Sequence, residues 1–324
     1  MTNKTIKVSM IVVTRNSVDS IENVIASLVS QGFHKNEFEI IISDGFSDDG
    51  TLNVAKECLS KYDVNSQLIL NSKRSLSAGW NLALKNASGE YVVRPDAHAV
   101  LLKGYVKSGI LKLDADLSLA GVGGVLITKS SSMIGNIISK VLSSKVGVGN
   151  SLFRTGVDKD TISDTAVYAV YRRCVFQKVG EFNEKLGRNQ DIDMHKRMYD
   201  AGYKLLTSPE MQAIYHTRNS LSAFIRQAFF NGFWVANSDV YHLRHLAPLF
   251  FVLTLVSTSF ISTYISLAAI FIYFFVLLSY HIILGKEYNI FKLFLLFFVT
   301  FMLHGSYGIG SIFGFLRRSQ KLII

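Results

Sequence analysis

The sequence predicts an α/β protein: a mostly parallel sheet wound with crossover helices, followed by C-terminal transmembrane helices. Two observations carry this. Short β-branched apolar runs alternate with segments of helical periodicity through the first hundred residues, the pattern of repeated βαβ units. From residue 246 onward only six charged side chains remain, and residues 246–285 hold no Asp, Glu, Lys or Arg in 40 positions. At about 20 apolar residues per crossing, that run alone is long enough to span a bilayer twice.

The elements follow in order. Residues 7–14 (KVSMIVVT) have the profile of a buried parallel strand. Asn16 and Ser17 offer an N-cap, after which Ile21, Val24, Ile25 and Leu28 recur at helical spacing. Residues 38–43 form a second buried strand ending at Asp44-Gly45; 51–59 read as a helix and 67–70 as a third strand. A helix over 77–86 closes at Ala87-Ser88-Gly89, and 90–94 is a fourth strand. Ligands of such sheets sit beyond the carboxyl ends of the strands, so chemistry is expected in the loops after residues 13, 43 and 94. The next stretch is less regular. It holds GVGGV at 121–125, a Ser/Gly-rich region over 129–156 expected as a mobile loop, a strand at 166–171, and a helix at 189–202 stopped by Gly202.

Residues 220–241 place apolar side chains at helical intervals, with Arg226 and Arg244 flanking, and suit an amphipathic helix at a membrane surface. In the tail, a break is expected around 262–264 and a polar turn at Gly285-Lys286-Glu287. A third apolar segment, 291–316, is interrupted by HGSYG at 304–308, which leaves two or three crossings open. The expected organisation is a catalytic domain over 1–218, an interfacial helix over 219–245, a transmembrane region over 246–316 and a basic tail over 317–324.

The net charge of +10 divides into +6 for residues 1–245 and +4 for the tail. Lys and Arg are scattered, without a polybasic block, so anionic lipid or a nucleotide diphosphate is a better partner than nucleic acid. Two cysteines, Cys58 and Cys174, exclude a disulfide scaffold. The opening MTNKTIKVSM runs directly into a strand pattern, so the catalytic part is expected to face the cytosol from a multi-pass anchor in the cytoplasmic membrane.

Three motifs can carry chemistry. Residues 44–51 read DGFSDDGT: an acidic residue at a strand end can accept hydrogen bonds from a ribose or base, or simply close an Asx-turn. Asp96-Ala97-His98 follows the fourth strand, and two ligands separated by one residue of extended chain can face one ion. Asp191 and Asp193 open a helix, where a carboxylate either favours the helix dipole or serves as a general base. Spacing alone does not rank those two.

Taken together, VSMIVVTRN, DGFSDDGT, RSLSAGWNLALKNASGEYVVRPDAH and RNQDID resemble the family 2 glycosyltransferases of GT-A fold, a Rossmann-like architecture. The likeness covers roughly residues 6–240 and is strongest to membrane-bound exopolysaccharide enzymes of the succinoglycan type, whose metal motif reads DAH. It implies that Thr14 and Arg15 hold the nucleotide and that Asp44 bonds the uracil or ribose. Arg74, with Gly79 and Asn81, would line the donor site. Asp96 and His98 would hold Mg²⁺ or Mn²⁺ against the diphosphate. Asp191 would be the base, preceded here by Gln190 in place of Glu, with Asp193 the second choice. The Q-x-x-R-W motif of processive members is incomplete: Gln227 and Trp234 are present in RQAFFNGFW without the Arg. Trp234 either stacks on an acceptor sugar or anchors its helix at the headgroups. The implied reaction is inverting, metal-dependent transfer from a nucleotide-sugar, a UDP-sugar first, to a lipid-linked saccharide in exopolysaccharide or other surface-polysaccharide synthesis. The alternatives are transfer to polyprenyl phosphate, or an inert membrane-anchored nucleotide-sugar binder.

Overall fold

A computed structural model describes residues 6–238, 240–283 and 289–323, with backbone alone for 281–283 and 321–323. The expected turn at 285–287 lies outside the described residues. In chain order the first elements are β1 (Val8–Thr14), α1 (Val18–Val29), β2 (Phe38–Asp44), α2 (Thr51–Tyr62), β3 (Ser66–Leu70), α3 (Leu76–Asn86) and β4 (Tyr91–Val93). Next come β5 (Ala99–Leu101), α4 (Tyr105–Ala115), β6 (Leu119–Lys129) and the short helices α5 (Met133–Leu142), α6 (Lys145–Val148) and α7 (Leu152–Thr155). Then follow β7 (Thr161–Ile162), β8 (Val170–Arg172), α8 (Arg173–Val179), α9 (Gln190–Asp200) and β9 (Lys204–His216). The chain ends in α10 (Leu221–Asn237), a 3₁₀ turn (Leu243–His245), α11 (Ala247–Ile261), α12 (Thr263–Ile283) and α13 (Ile290–Ile323).

The chain folds into two compact units, one of Met1–Ile127 and Gly156–His216, the other of Thr128–Thr155 and Thr217–Ile324. In the first, the strands form one sheet in the order β3-β2-β1-β4-β8-β6-β9-β5, with β7 on β9. The β1–β2, β2–β3 and β1–β4 pairs are parallel, whereas β4–β8, β6–β8 and β5–β9 are antiparallel. Every residue of β1 and β2 is buried, as expected of strands covered on both faces. Ile21, Val24, Ile25 and Leu28 of α1 are buried together, the stripe that the sequence spacing predicts. The core around Ile11, Ile41, Trp80, Val92, Tyr171, Phe182 and Met194 joins the sheet to α3 and α9.

Two differences from expectation have physical reasons. The glycines of GVGGV belong to the long strand β6, because a Cβ at Gly124 would stand 2.0 Å from the Met211 carbonyl oxygen on β9. The Ser/Gly-rich region over 129–156 is helical rather than a mobile loop. Ser132 and Ser144 cap α5 and α6 by accepting from the backbone N–H groups of Gly135 and Gly147. Ile137, Ile138, Val141 and Leu142 then bury one face of α5.

In the second unit three helices are long and apolar enough to cross a membrane: Leu243–Ile261, Thr263–Tyr280 and Ile290–Gln320. The break falls at Ser262, which is extended. The third segment is not interrupted at 304–308; α13 runs through it unbroken. Its glycines are packing positions instead. A Cβ at Gly310 or Gly314 would meet the Phe229 or Phe233 carbonyl of α10 at 2.0 or 2.3 Å, and one at Gly308 would meet the Pro248 carbonyl of α11 at 2.2 Å. Small residues let helix backbones approach closely.

Candidate active site

Three adjacent parallel strands, β2, β1 and β4, end at one edge of the first unit's sheet, and their loops carry the acidic motifs. Thr14 and Asp44 stand opposite each other at the last register position of β1 and β2. Asp44 is buried; its carboxylate accepts from the Ser47 backbone N–H at 2.9 Å and from the Ser47 hydroxyl at 2.5 Å. The Asn16 backbone N–H donates to the Ser47 hydroxyl oxygen at 2.9 Å, tying the β1 loop to the β2 loop. Asp49 accepts from the Thr51 hydroxyl and backbone and from the Val18 N–H, and these bonds hold its carboxyl below the usual range. The motif DGFSDDGT therefore folds as a knot of side-chain-to-backbone bonds that fixes both loops.

Arg15 is exposed beside Gly45, and Arg74 lies over the Phe46 ring at 5.2 Å. Phe46 is half exposed with φ 59°, and Asn16 and Arg74 also have positive φ. Backbone strain of this kind collects at functional sites, and here it falls on three loop residues at the same edge. Gly79 lets α3 press onto β1, since a Cβ there would stand 2.5 Å from Val13 Cγ1.

Asn81 is buried and fully employed. Its amide nitrogen donates to the Phe182 carbonyl and to Glu184, and its carbonyl oxygen accepts from the Phe182 N–H at 2.8 Å. Lys73 donates to Glu184 at 2.6 Å and, with Asn81, lowers that carboxyl from its ordinary value. Asn81 thus holds residues 182–184 against α3.

Asp96 is partly buried and His98 exposed, in the loop between β4 and β5. The Ala97 carbonyl between them accepts from the Ser20 hydroxyl at 2.7 Å, which anchors the loop to α1. Among the described residues no three His, Cys, Asp or Glu side chains gather as a metal cluster. One carboxylate and one imidazole, two residues apart, do fit a cation that takes its remaining ligands from phosphate oxygens and water.

The two carboxylates opening α9 differ sharply. Asp193 accepts from Arg197 Nε at 3.1 Å and Nη2 at 2.9 Å, and the same guanidinium donates to the Val179 and Glu181 carbonyls. Asp191, also partly exposed, accepts from the adjacent Ile192 N–H at 3.0 Å. Sequence reasoning missed the groups beneath them. His195, fully buried one turn after Asp191, meets the Tyr171 hydroxyl at 2.7 Å and the Thr165 hydroxyl at 3.0 Å. Arg94 is 5% exposed, and its guanidinium lies over the adjoining Trp80 and Phe182 rings, at 3.8 and 5.1 Å. Only the position of Arg94, two residues before Asp96, offered a signal.

Several buried polar atoms at this edge have no protein hydrogen-bond partner: Thr14 Oγ1, Ser43 Oγ, Ser77 Oγ, Trp80 Nε1 and Arg94 Nε. Unpaired buried polar atoms also occur elsewhere, as at Asn237 Oδ1 on α10, so they are not peculiar to this edge. Trp234, by contrast, lies on α10 in the second unit, edge-on to Phe233 at 5.5 Å and with the Arg317 guanidinium 5.9 Å from its ring.

The sheet, mostly parallel where Asp44 and Asp96 follow its strands, has the GT-A type of fold. Among solved structures, the mannosyltransferase PcManGT from Pyrobaculum calidifontis, described in complex with GDP-Man and Mn²⁺, shares it with a TM-score of 0.65 at 17% identity, over 95% of this chain and 86% of that one. Staphylococcus aureus TarS 1–349 in complex with UDP matches 73% of this chain and 67% of that one, at 20% identity and a TM-score of 0.50.

The profile of glycosyl transferase family 2 matches residues 9–180, and the chain belongs to that family. A Methanococcus voltae relative, dolichyl N-acetyl-α-D-glucosaminyl phosphate 3-β-D-2,3-diacetamido-2,3-dideoxy-β-D-glucuronosyltransferase, is 29% identical over 69% of this chain and 71% of its own length. The succinoglycan biosynthesis protein ExoA of Rhizobium meliloti is 28% identical over 65% of this chain and 65% of its own length. The chain is a glycosyltransferase with three helices able to cross a membrane.

Proposed function

We propose that the enzyme transfers a sugar, with inversion, from a nucleotide-sugar to a lipid-linked saccharide in surface-polysaccharide synthesis, working at the cytosolic face of the cytoplasmic membrane. The observation that carries this is the placement of Asp44 and Asp96 just at and after the carboxyl ends of the neighbouring strands β2 and β4, with Thr14 Oγ1 and Ser43 Oγ buried and unpaired next to Asp44. A nucleoside diphosphate offers the donors and acceptors those atoms lack. The lipid-linked acceptor draws support from the three apolar helices and from the dolichyl-phosphate-linked substrate in the name of the Methanococcus relative. That relative's named acceptor already carries a sugar, which favours extension over direct transfer to polyprenyl phosphate.

In the mechanism, Asp44, Thr14, Arg15 and Arg74 bind and orient the nucleotide. Asp96 and His98 would hold Mg²⁺ or Mn²⁺, which when bound neutralises charge on the diphosphate. Asp191 takes the proton from the acceptor hydroxyl as that oxygen attacks the anomeric carbon from the face opposite the diphosphate. Asp193 is committed to Arg197, so it steadies the helix while Asp191 remains the base. Trp234 serves as an interfacial anchor in this reading, its ring already engaged by Arg317.

The test is a panel of UDP-, GDP- and dTDP-sugars incubated with membranes, lipid extract and Mn²⁺ or Mg²⁺. Sugar entering the lipid phase with release of nucleoside diphosphate supports the proposal. Transfer only to polyprenyl phosphate would favour the first alternative; binding without diphosphate release would make the protein a scaffold.

A further inference from the structure

We propose that Arg94, Tyr171 and His195 form a buried positioning chain that fixes Asp191 relative to the loop of Asp96 and His98. The inference rests on Asp191 being the base. Its basis is the path of contacts through the interior of the first unit. Arg94 follows the last residue of β4 and precedes Pro95 and Asp96, so it belongs to the donor-side loop by sequence. Its guanidinium rests on the adjoining rings of Trp80 from α3 and Phe182. Such cation–π contacts offset part of the cost of burying a charged group at 5% exposure.

The guanidinium does not stop there. Burial pushes the Tyr171 hydroxyl up from its usual pKa, the neighbouring Arg94 charge and hydrogen bond pull it back, and the Asp191 carboxylate pushes it up again. Tyr171 lies on β8 opposite Val92 of β4, and its hydroxyl meets His195 Nε2 at 2.7 Å, while Thr165 holds the other ring nitrogen at 3.0 Å.

His195 and Asp191 are four residues apart on α9, hence neighbours on one helical face. The first turn of α9 needs such an anchor. Its N-cap, Asn189, has φ 65° and makes no side-chain cap bond. The buried chain therefore does for the start of α9 what a cap does elsewhere, and it ties that helix to the backbone leading into the donor loop.

The experiment is a double-mutant cycle with full-length, membrane-embedded enzyme, using whichever nucleotide-sugar supports turnover in the panel above. Tyr171→Phe removes one hydroxyl and no ring. Its expected effect is a kcat lower by about tenfold or more, because small misplacement of a reacting group is costly. Donor KM should stay within about twofold, an expectation for an interaction felt mainly in the transition state, while the melting midpoint falls modestly because buried His195 loses a hydrogen-bond partner. In the Asp191→Asn background the same change should cost nothing further, because residues acting as a unit are non-additive.

Arg94→Lys, which keeps the charge and loses the fork, should fall between parent and Arg94→Met. Unchanged kcat in Tyr171→Phe, or an equal further loss in the Asp191→Asn background, overturns the positioning chain. Full turnover in Asp191→Asn instead overturns the assignment of the base, so the two failures are separable.

Discussion

Asp191 and Asp193 stand two residues apart in the same helical turn, and only their partners distinguish them. Asp193 spends one oxygen on both Arg197 nitrogens. Substituting Asp193→Asn should therefore destabilise the fold by about 1 kcal/mol, as for a partly buried pair, and so lower the melting midpoint, while leaving kcat within a few-fold of the parent. Asp191→Asn should behave in reverse: thermal stability retained, donor binding retained, and kcat lower by roughly 10²–10⁴. Thermal melts and single-donor kinetics on the two variants check this directly. Asp96→Ala should abolish the metal dependence of nucleotide binding, measured by titrating UDP or GDP with and without Mn²⁺.

These acidic residues were legible in the sequence because each follows a strand or opens a helix. Arg94 and His195 were not. What makes them notable is burial against Trp80, Phe182 and Tyr171, partners drawn from distant parts of the chain, and no local pattern encodes such contacts.

At the scale of elements, Glu39 on β2 joins strand, loop and neighbour. Burial raises its carboxyl, but bonds from the Ser9 hydroxyl, the Ser88 backbone and hydroxyl, and Gln67 outweigh that and leave it below its ordinary 4.5. A carboxylate whose folded pKa is depressed stabilises the fold above its unfolded value and loses that contribution as pH falls through the folded one. Glu39→Gln is expected to cost about 2 kcal/mol at pH 7, as for a hydrogen-bonded buried charge. The gap from the parent should shrink below about pH 4; denaturant melts at pH 7 and pH 3.5 measure it.

The α10–α13 contact makes a second element-scale test. A Cβ at Gly232 would stand 2.0 Å from the Tyr307 carbonyl, so Gly232→Val should lower the thermal midpoint of the detergent-solubilised protein. An unchanged midpoint would mean that the helices do not approach so closely. Elements β1 to β4 were readable because their apolar runs are continuous and local. The antiparallel strands β5 and β9 were missed: β5 is three residues long, and β9 carries Pro209 and mixed polarity that its pairing overrides.

At the scale of the molecule, the positive charge is an average over dissimilar parts: an acidic-motif sheet unit and a helical unit whose apolar surface stays exposed, with Phe260 at 87%. The sequence boundary between them is not simple, because residues 128–155 leave the sheet and pack with the C-terminal helices. A chain cut after His216 would strip the partners from the apolar face of α5, and it should partition to the insoluble fraction on expression. The most direct measurement is incorporation of labelled sugar into the lipid phase by membranes bearing the parent enzyme or Asp191→Asn, with released nucleoside diphosphate counted in parallel. The account predicts stoichiometric label and diphosphate with the parent and at least a hundredfold less of both with the variant, as for loss of a general base. Label incorporated equally by both, or diphosphate released without lipid labelling, would contradict it.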